Sequence, residues 1–98
     1  MSRLRRLRVP DDVAELVRTL HPVLKAKIKA GLDEIRREPE SGKPLREELI
    51  GLQSFRVGRF RIIYREASAG TLDIVAIGPR RTIYQETYRV LSRPKDSL

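Results

Sequence analysis

Residues 54–65 read Ser54-Phe55-Arg56-Val57-Gly58-Arg59-Phe60-Arg61-Ile62-Ile63-Tyr64-Arg65. Two strand-like runs flank Gly58-Arg59. Glycine as the first of two loop residues suits a type II′ hairpin turn. A two-residue loop fixes the register: Val57 faces Phe60, Arg56 faces Arg61, Phe55 faces Ile62 and Ser54 faces Ile63. Directly opposed residues share a face of the hairpin. Phe55, Val57, Phe60, Ile62 and Tyr64 therefore form an apolar face that helices can cover. Ser54, Arg56, Arg61, Ile63 and Arg65 form the other. Two arginines opposed across a hairpin repel each other. The pair becomes favourable when an anion binds between them, because guanidinium grips phosphate through two parallel bonds.

Downstream, Ala67-Ser68-Ala69-Gly70 reads as a turn and Leu72–Ile77 as a strand apolar enough to be central. That strand should lie beside Arg61–Arg65 and end at Gly78-Pro79-Arg80-Arg81. More arginine is thereby placed at the same end of the sheet. Tyr84, Tyr88 and Leu91 fall at i, i+4, i+7, so a short C-terminal helix docking through this stripe, or a last strand, follows. Residues 92–98 read as a tail.

Upstream, Val13, Leu16, Val17 and Leu20 define one amphipathic helix, and Asp12-x-x-Glu15 has the spacing of a capping box. His21-Pro22 breaks it, with Pro22 suited to the first turn of a second helix. Leu24, Ile28, Leu32 and Ile35 make the stripe of that helix, which runs through Glu38. Pro39, Gly42 and Pro44 then mark a loop. Arg3 to Val9 alternates arginine with apolar residues and reads as a short edge strand, where charge discourages edge-to-edge pairing. The expected fold is α+β: one domain over residues 1–98, two N-terminal antiparallel helices packed on a small antiparallel sheet.

Composition narrows function. The chain has 98 residues, with 21 Lys+Arg against 13 Asp+Glu and a formal net charge of +8. Residues 1–49 hold 12 basic and 9 acidic side chains, net +3 (12−9); residues 50–98 hold 9 and 4, net +5 (9−4). The sheet half is the more basic, which points to an anionic partner. There is no cysteine, so thiolate chemistry, disulfides and cysteine metal sites are excluded. One histidine, His21, rules out a two-histidine acid–base pair; its place before Pro22 marks it as a cap. Asp11, Asp12, Glu47 and Glu48 read as capping or loop residues, so no carboxylate pair serves a glycosidase or a metal nuclease. Neither a metal nor another cofactor is expected. Apolar runs are far shorter than the ~20 residues of a membrane span. The expectation is a cytoplasmic protein with no membrane association.

The stretch Arg56-Val57-Gly58-Arg59-Phe60-Arg61-Ile62-Ile63-Tyr64, followed by Ile77-Gly78-Pro79-Arg80-Arg81-Thr82-Ile83-Tyr84, resembles the RelE/ParE superfamily of type II toxins. The family pattern runs approximately R-V-G-x-Y-R-I-I-Y and then I-G-x-R-x-x-x-Y. Pro44-Leu45 to Gly51-Leu52 is similar to the family segment before the first sheet hairpin. The resemblance spans the chain from its first strand to Tyr84 and implies a microbial-ribonuclease-like α+β fold. It also implies a RelE-like endoribonuclease that needs no metal, cuts mRNA on the ribosome and so blocks translation. By position, Arg56, Arg61, Arg80 and Tyr84 become the catalytic set, and Arg59, Arg65 and Arg81 bind RNA phosphates. Phe60 replaces the usual Tyr. Ser54 stands where strong RelE-like nucleases often carry a second basic residue. ParE-like members keep the fold and inhibit DNA gyrase, which is the alternative reading; a non-catalytic basic module is a third. Both toxin branches imply a cognate antitoxin, acidic where it binds, folding onto the sheet edge and the groove by the helices.

Overall fold

The structure, a computed structural model, describes residues 4–68 and 70–92. Arg3, Ala69 and the tail beyond Ser92, on which parts of the sequence reading fall, lie outside these residues. Strand β1 (Arg6–Arg8) leads to helix α1 (Asp11–Arg18) and helix α2 (Pro22–Arg37). Strand β2 (Lys43–Pro44) follows, then β3 (Gln53–Val57), β4 (Phe60–Ser68), β5 (Thr71–Pro79) and helix α3 (Ile83–Ser92). One-turn helices occupy Pro39–Ser41 and Glu47–Leu49. Among the described residues one sheet runs in the order β1-β5-β4-β3-β2. Its pairings are antiparallel except β1 with β5, which is parallel. No tight turn links those two strands, so nothing forces them to run opposite ways.

The hairpin register is the one the two-residue loop dictates: Val57 opposite Phe60, Arg56 opposite Arg61, Ser54 opposite Ile63. Gly58 has φ +59, and Arg59 is not among the positive-φ residues. That combination fits a type II′ turn and not type I′, which needs positive φ at both positions.

Two apolar clusters divide at the sheet. On one face Val57, Ile62, Tyr64, Leu72, Ile74 and Ile77 pack with Val13 and Val17 of α1 and Ile28 and Ile35 of α2. Gly31 lets α2 come this close: a Cβ there would lie 2.9 Å from Val57 Cγ2 and 3.2 Å from Phe55 Cε1. The opposite face is not an open arginine surface over its whole length. Ile63, Val75, Ala76, Leu49, Leu52 and Ile83 form a second cluster there, with Tyr84 and Val90 against it. A register shift between Ile63 and Tyr64 explains why consecutive Val75 and Ala76 both serve this face. Ile63 pairs with Ala76, Tyr64 pairs with Ile74, and Val75 bulges. A bulge resets the alternation of its strand, so Ile74 and Ile77 both return to the helix face.

The ends of the helices show where local signals compete. α1 begins at Asp11 behind Pro10, and Asp12 accepts from the adjacent Val13 N–H at 2.9 Å. The Asp12–Glu15 capping box does not form, because the helix starts two residues earlier, with Pro10 and not Asp12 at the N-cap. His21 is the N-cap of α2: its Nδ1 accepts from Val23 N–H at 3.2 Å, with Pro22 in the first turn. α3 docks through Ile83, Thr87 and Val90, while Tyr88 and Leu91 stay exposed, at 42% and 41%. The docking stripe is thus shifted one residue from the aromatic one expected.

Tyr64 is fully buried in the helix-face core. Its hydroxyl donates to Pro39 O at 2.6 Å and accepts from Gly42 N at 2.9 Å. This ties the loop after α2 to the centre of the sheet, and burial pushes the phenol pKa up. Tyr64→Phe strands a buried donor and a buried acceptor. It should cost roughly 1–3 kcal/mol of stability in a denaturant melt.

Candidate functional site at the hairpin end of the sheet

The β3–β4 turn and the end of β5 bring the basic residues together. Arg56 and Arg61 are cross-strand partners, and Arg61 pairs in turn with Gly78 of β5. Arg80 N–H donates to Arg59 O at 2.8 Å, which fastens the exit of β5 to the hairpin turn. Arg56, Arg59, Arg80 and Arg81 are exposed, and Arg61 is half-buried. None of these five makes an ion pair among the described residues. Arg8, Arg18, Arg36, Arg37, Arg65 and Arg89, at other places in the fold, each have a carboxylate within 4.0 Å. The positive charge at this end of the sheet is therefore uncompensated.

Beside the arginines lies a small polar cluster. Ser54 is buried at 2% exposure. Its Oγ lies 3.3 Å from the Tyr84 hydroxyl, and Arg61 Nη1 donates to it over a long 3.5 Å. Tyr84 arrives from the first turn of α3, half-buried against the second apolar cluster. Arg61 Nε is buried and has no hydrogen-bond partner. Arg56 Nε points back to Gly58 O at 3.4 Å. Sequence reasoning took Ser54 as the loss of a basic residue and missed it as the link between Arg61 and Tyr84. The signal was present: Ser54 shares the face of Arg61 and sits diagonally from it in the hairpin register.

Arg65 stands apart. It is four residues beyond Arg61, about 13 Å along a strand, and its Nε lies 3.8 Å from Asp73 Oδ2. Arg8 holds the same carboxylate through Nε at 2.7 Å and Nη2 at 3.1 Å, joining β1 to β5. The hydrogen bond from Arg8 is the main reason the Asp73 carboxyl is held below its ordinary pKa, with the charges of Arg8 and Arg65 adding to it and partial burial opposing it. A depressed carboxyl pKa stabilises the fold fully above the unfolded value, near 3.9. That contribution is lost as pH falls through the lower folded value. Asp73→Asn should therefore be less stable than the parent near neutrality, with the gap between their melts closing below about pH 4.

The described residues have no helix long and apolar enough to cross a membrane. Residues 6–84 match the family described as the ParE toxin of the type II toxin–antitoxin system parDE. Toxin RelG of Mycobacterium tuberculosis is 37% identical over 65 residues, covering 64% of this chain and 75% of that protein. The toxin–antitoxin complex RelBE2 from Mycobacterium tuberculosis contains a chain 30% identical to this one. It superposes with a TM-score of 0.69 over 79% of this chain and 99% of its own. A mutant E. coli RelE toxin in the free state reaches the same TM-score at 16% identity, over 89% of this chain and 93% of its own, and shares the fold. The matched region runs from β1 to Tyr84 and contains the paired arginines, their neighbours at the end of β5 and the polar cluster. The chain belongs to the RelE/ParE superfamily of type II toxins.

Proposed function

We propose that this toxin is a ribosome-dependent mRNA endonuclease. The observation that carries the reading is the group of five arginines without ion pairs, gathered at one end of the sheet beside buried Ser54 and half-buried Tyr84. In the cleavage, the ribose 2′-oxygen attacks the adjacent phosphorus and the bond to the 5′-oxygen breaks. The proton lost from the 2′-hydroxyl is balanced by one gained at the 5′-oxygen, leaving a cyclic phosphate and a 5′-hydroxyl. Arg61 and Arg80 stabilise the charge that builds on the phosphate. Arg56 helps hold it, and Tyr84 contacts the phosphate or a base. Arginine stays protonated and is a poor general base. Alignment of the 2′-oxygen by the ribosome must then supply much of the rate. Arg59 and Arg81 flank this centre as phosphate contacts. Arg65, held by Asp73, contributes to the field of the face more than to the reacting phosphate. An acidic segment of a cognate antitoxin is the natural partner of a chain with net charge +8. The Mycobacterium tuberculosis RelBE2 structure is a toxin–antitoxin complex.

Inhibition of DNA gyrase is the second reading. It is favoured by Ser54 where a further basic residue would strengthen a nuclease, and by the ParE description of the matching family. Primer extension on a defined mRNA in a reconstituted translation system separates the two. Codon-phased cuts that need ribosomes establish the nuclease. Intact mRNA together with inhibited supercoiling by purified gyrase establishes the alternative.

A further inference from the structure

We propose that Ser54 is a positioning residue that fixes the direction of the Tyr84 hydroxyl, so that Tyr84 presents its proton to the RNA phosphate. The inference rests on the nuclease reading above. It starts from donor arithmetic. A hydroxyl has one proton to give and accepts through its oxygen, whereas guanidinium only donates. Arg61 Nη1 therefore donates to Ser54 Oγ. The proton of Ser54 is left to point at the Tyr84 oxygen, 3.3 Å away. Tyr84 then accepts from Ser54, and its own proton points away from Ser54, free for a substrate oxygen. Ser54 is 2% exposed, so water does not compete for its proton. The chain Arg61 to Ser54 to Tyr84 has one favoured polarity, set by the permanent charge at its start.

Free Tyr84 would rotate its hydroxyl to serve as donor or acceptor. A phosphate oxygen wants only donors. Ser54 removes the unproductive orientation before the substrate arrives, and preorganisation of this kind raises rate without adding a contact to the substrate. The two hydrogen bonds are long in the free protein, as catalytic hydrogen bonds commonly are before the substrate closes the site. Arg61 Nε, buried and unpartnered, fits the same picture of a cluster completed by an anion.

Single-turnover cleavage of mRNA on programmed ribosomes tests the proposal through a double-mutant cycle. Ser54→Ala should lower the cleavage rate about tenfold, the worth of one oriented hydrogen bond, while the toxin concentration giving half-maximal rate is unchanged. In a Tyr84→Phe background Ser54→Ala should have no further effect, since Ser54 acts through the phenol. Ser54→Thr, which keeps the hydroxyl, should restore most of the rate. In the free protein, Ser54→Ala should shift the ring resonances of Tyr84 and leave those of Tyr64 and Tyr88 in place. Equal loss of rate in both backgrounds overturns the positioning role, and so does an unchanged rate in Ser54→Ala. Unshifted Tyr84 resonances overturn the contact itself. A parent protein that cuts no mRNA on the ribosome overturns both the nuclease reading and this one.

Discussion

Arg61→Met should abolish toxicity and lower mRNA cleavage about 100- to 1,000-fold, the usual loss when one preorganised donor to a developing oxyanion is removed. The same variant should melt no lower than the parent. Arg61 faces Arg56 across the hairpin, and like charges directly opposed are destabilising in the absence of an anion. Its Nε is also buried without a partner, and an unsatisfied buried donor costs roughly 1–3 kcal/mol. Methionine keeps the apolar stem that packs over the sheet and removes both penalties. Activity and stability are thus expected to move in opposite directions, which a merely structural arginine would not do. Cleavage on programmed ribosomes and a thermal melt of the same preparation read the two effects. A variant that melts early and retains its cleavage rate would assign Arg61 to the fold and not to the phosphate.

The hairpin was legible because its signals agree. Gly58 sets the turn, the turn sets the register, and the register sorts Phe55 and Ile62 from Arg56 and Arg61. The gathering of Arg80 at the same end followed from strand length alone. What was not legible depends on long-range choices. Val75 and Ala76 read only as part of an apolar central strand, and the bulge opposite Ile63 explains why both face α3. Tyr88 and Leu91 carry the right spacing for a docking stripe, yet the residue next to Pro79-Arg80-Arg81-Thr82 that meets the sheet is Ile83, so the stripe is Ile83, Thr87 and Val90. Tyr88 instead reaches outward, and its hydroxyl donates to Glu48 at 3.0 Å. Arg65 lies on the same face as Arg61, and the neighbouring strand was expected beside it, but the register that sets Asp73 opposite Arg65 depends on the bulge. Ser54 looked like an absence because a short polar side chain has no function until its neighbours are placed.

Ile83→Ala is expected to cause the largest loss of stability on the site face, and to lower activity through geometry. Ile83 is 1% exposed. It anchors α3 in the second apolar cluster, among Ile63, Val75 and Ala76. Truncating a fully buried isoleucine to alanine costs about 2–5 kcal/mol, by lost transfer energy and by the cavity left behind. In a domain of this size each kcal/mol lowers the melting temperature by about 4–8 °C. Ile83 also immediately precedes Tyr84, and its Cδ1 would lie only 3.1 Å from a Cβ built on Gly78. Gly78 is the β5 partner of Arg61. The same side chain therefore holds the helix, the phenol and the strand beside Arg61 in register. At a temperature where Ile83→Ala is fully folded, its cleavage rate should still fall, because a loosened α3 lets Tyr84 drift from Ser54. Thr87→Val, by contrast, changes a buried hydroxyl that only donates to Ile83 O at 2.8 Å within the helix. It should cost stability with little effect on rate. If Ile83→Ala and Thr87→Val lose rate only in proportion to their unfolded fraction, α3 is a cover for the sheet and not the carrier of a placed side chain.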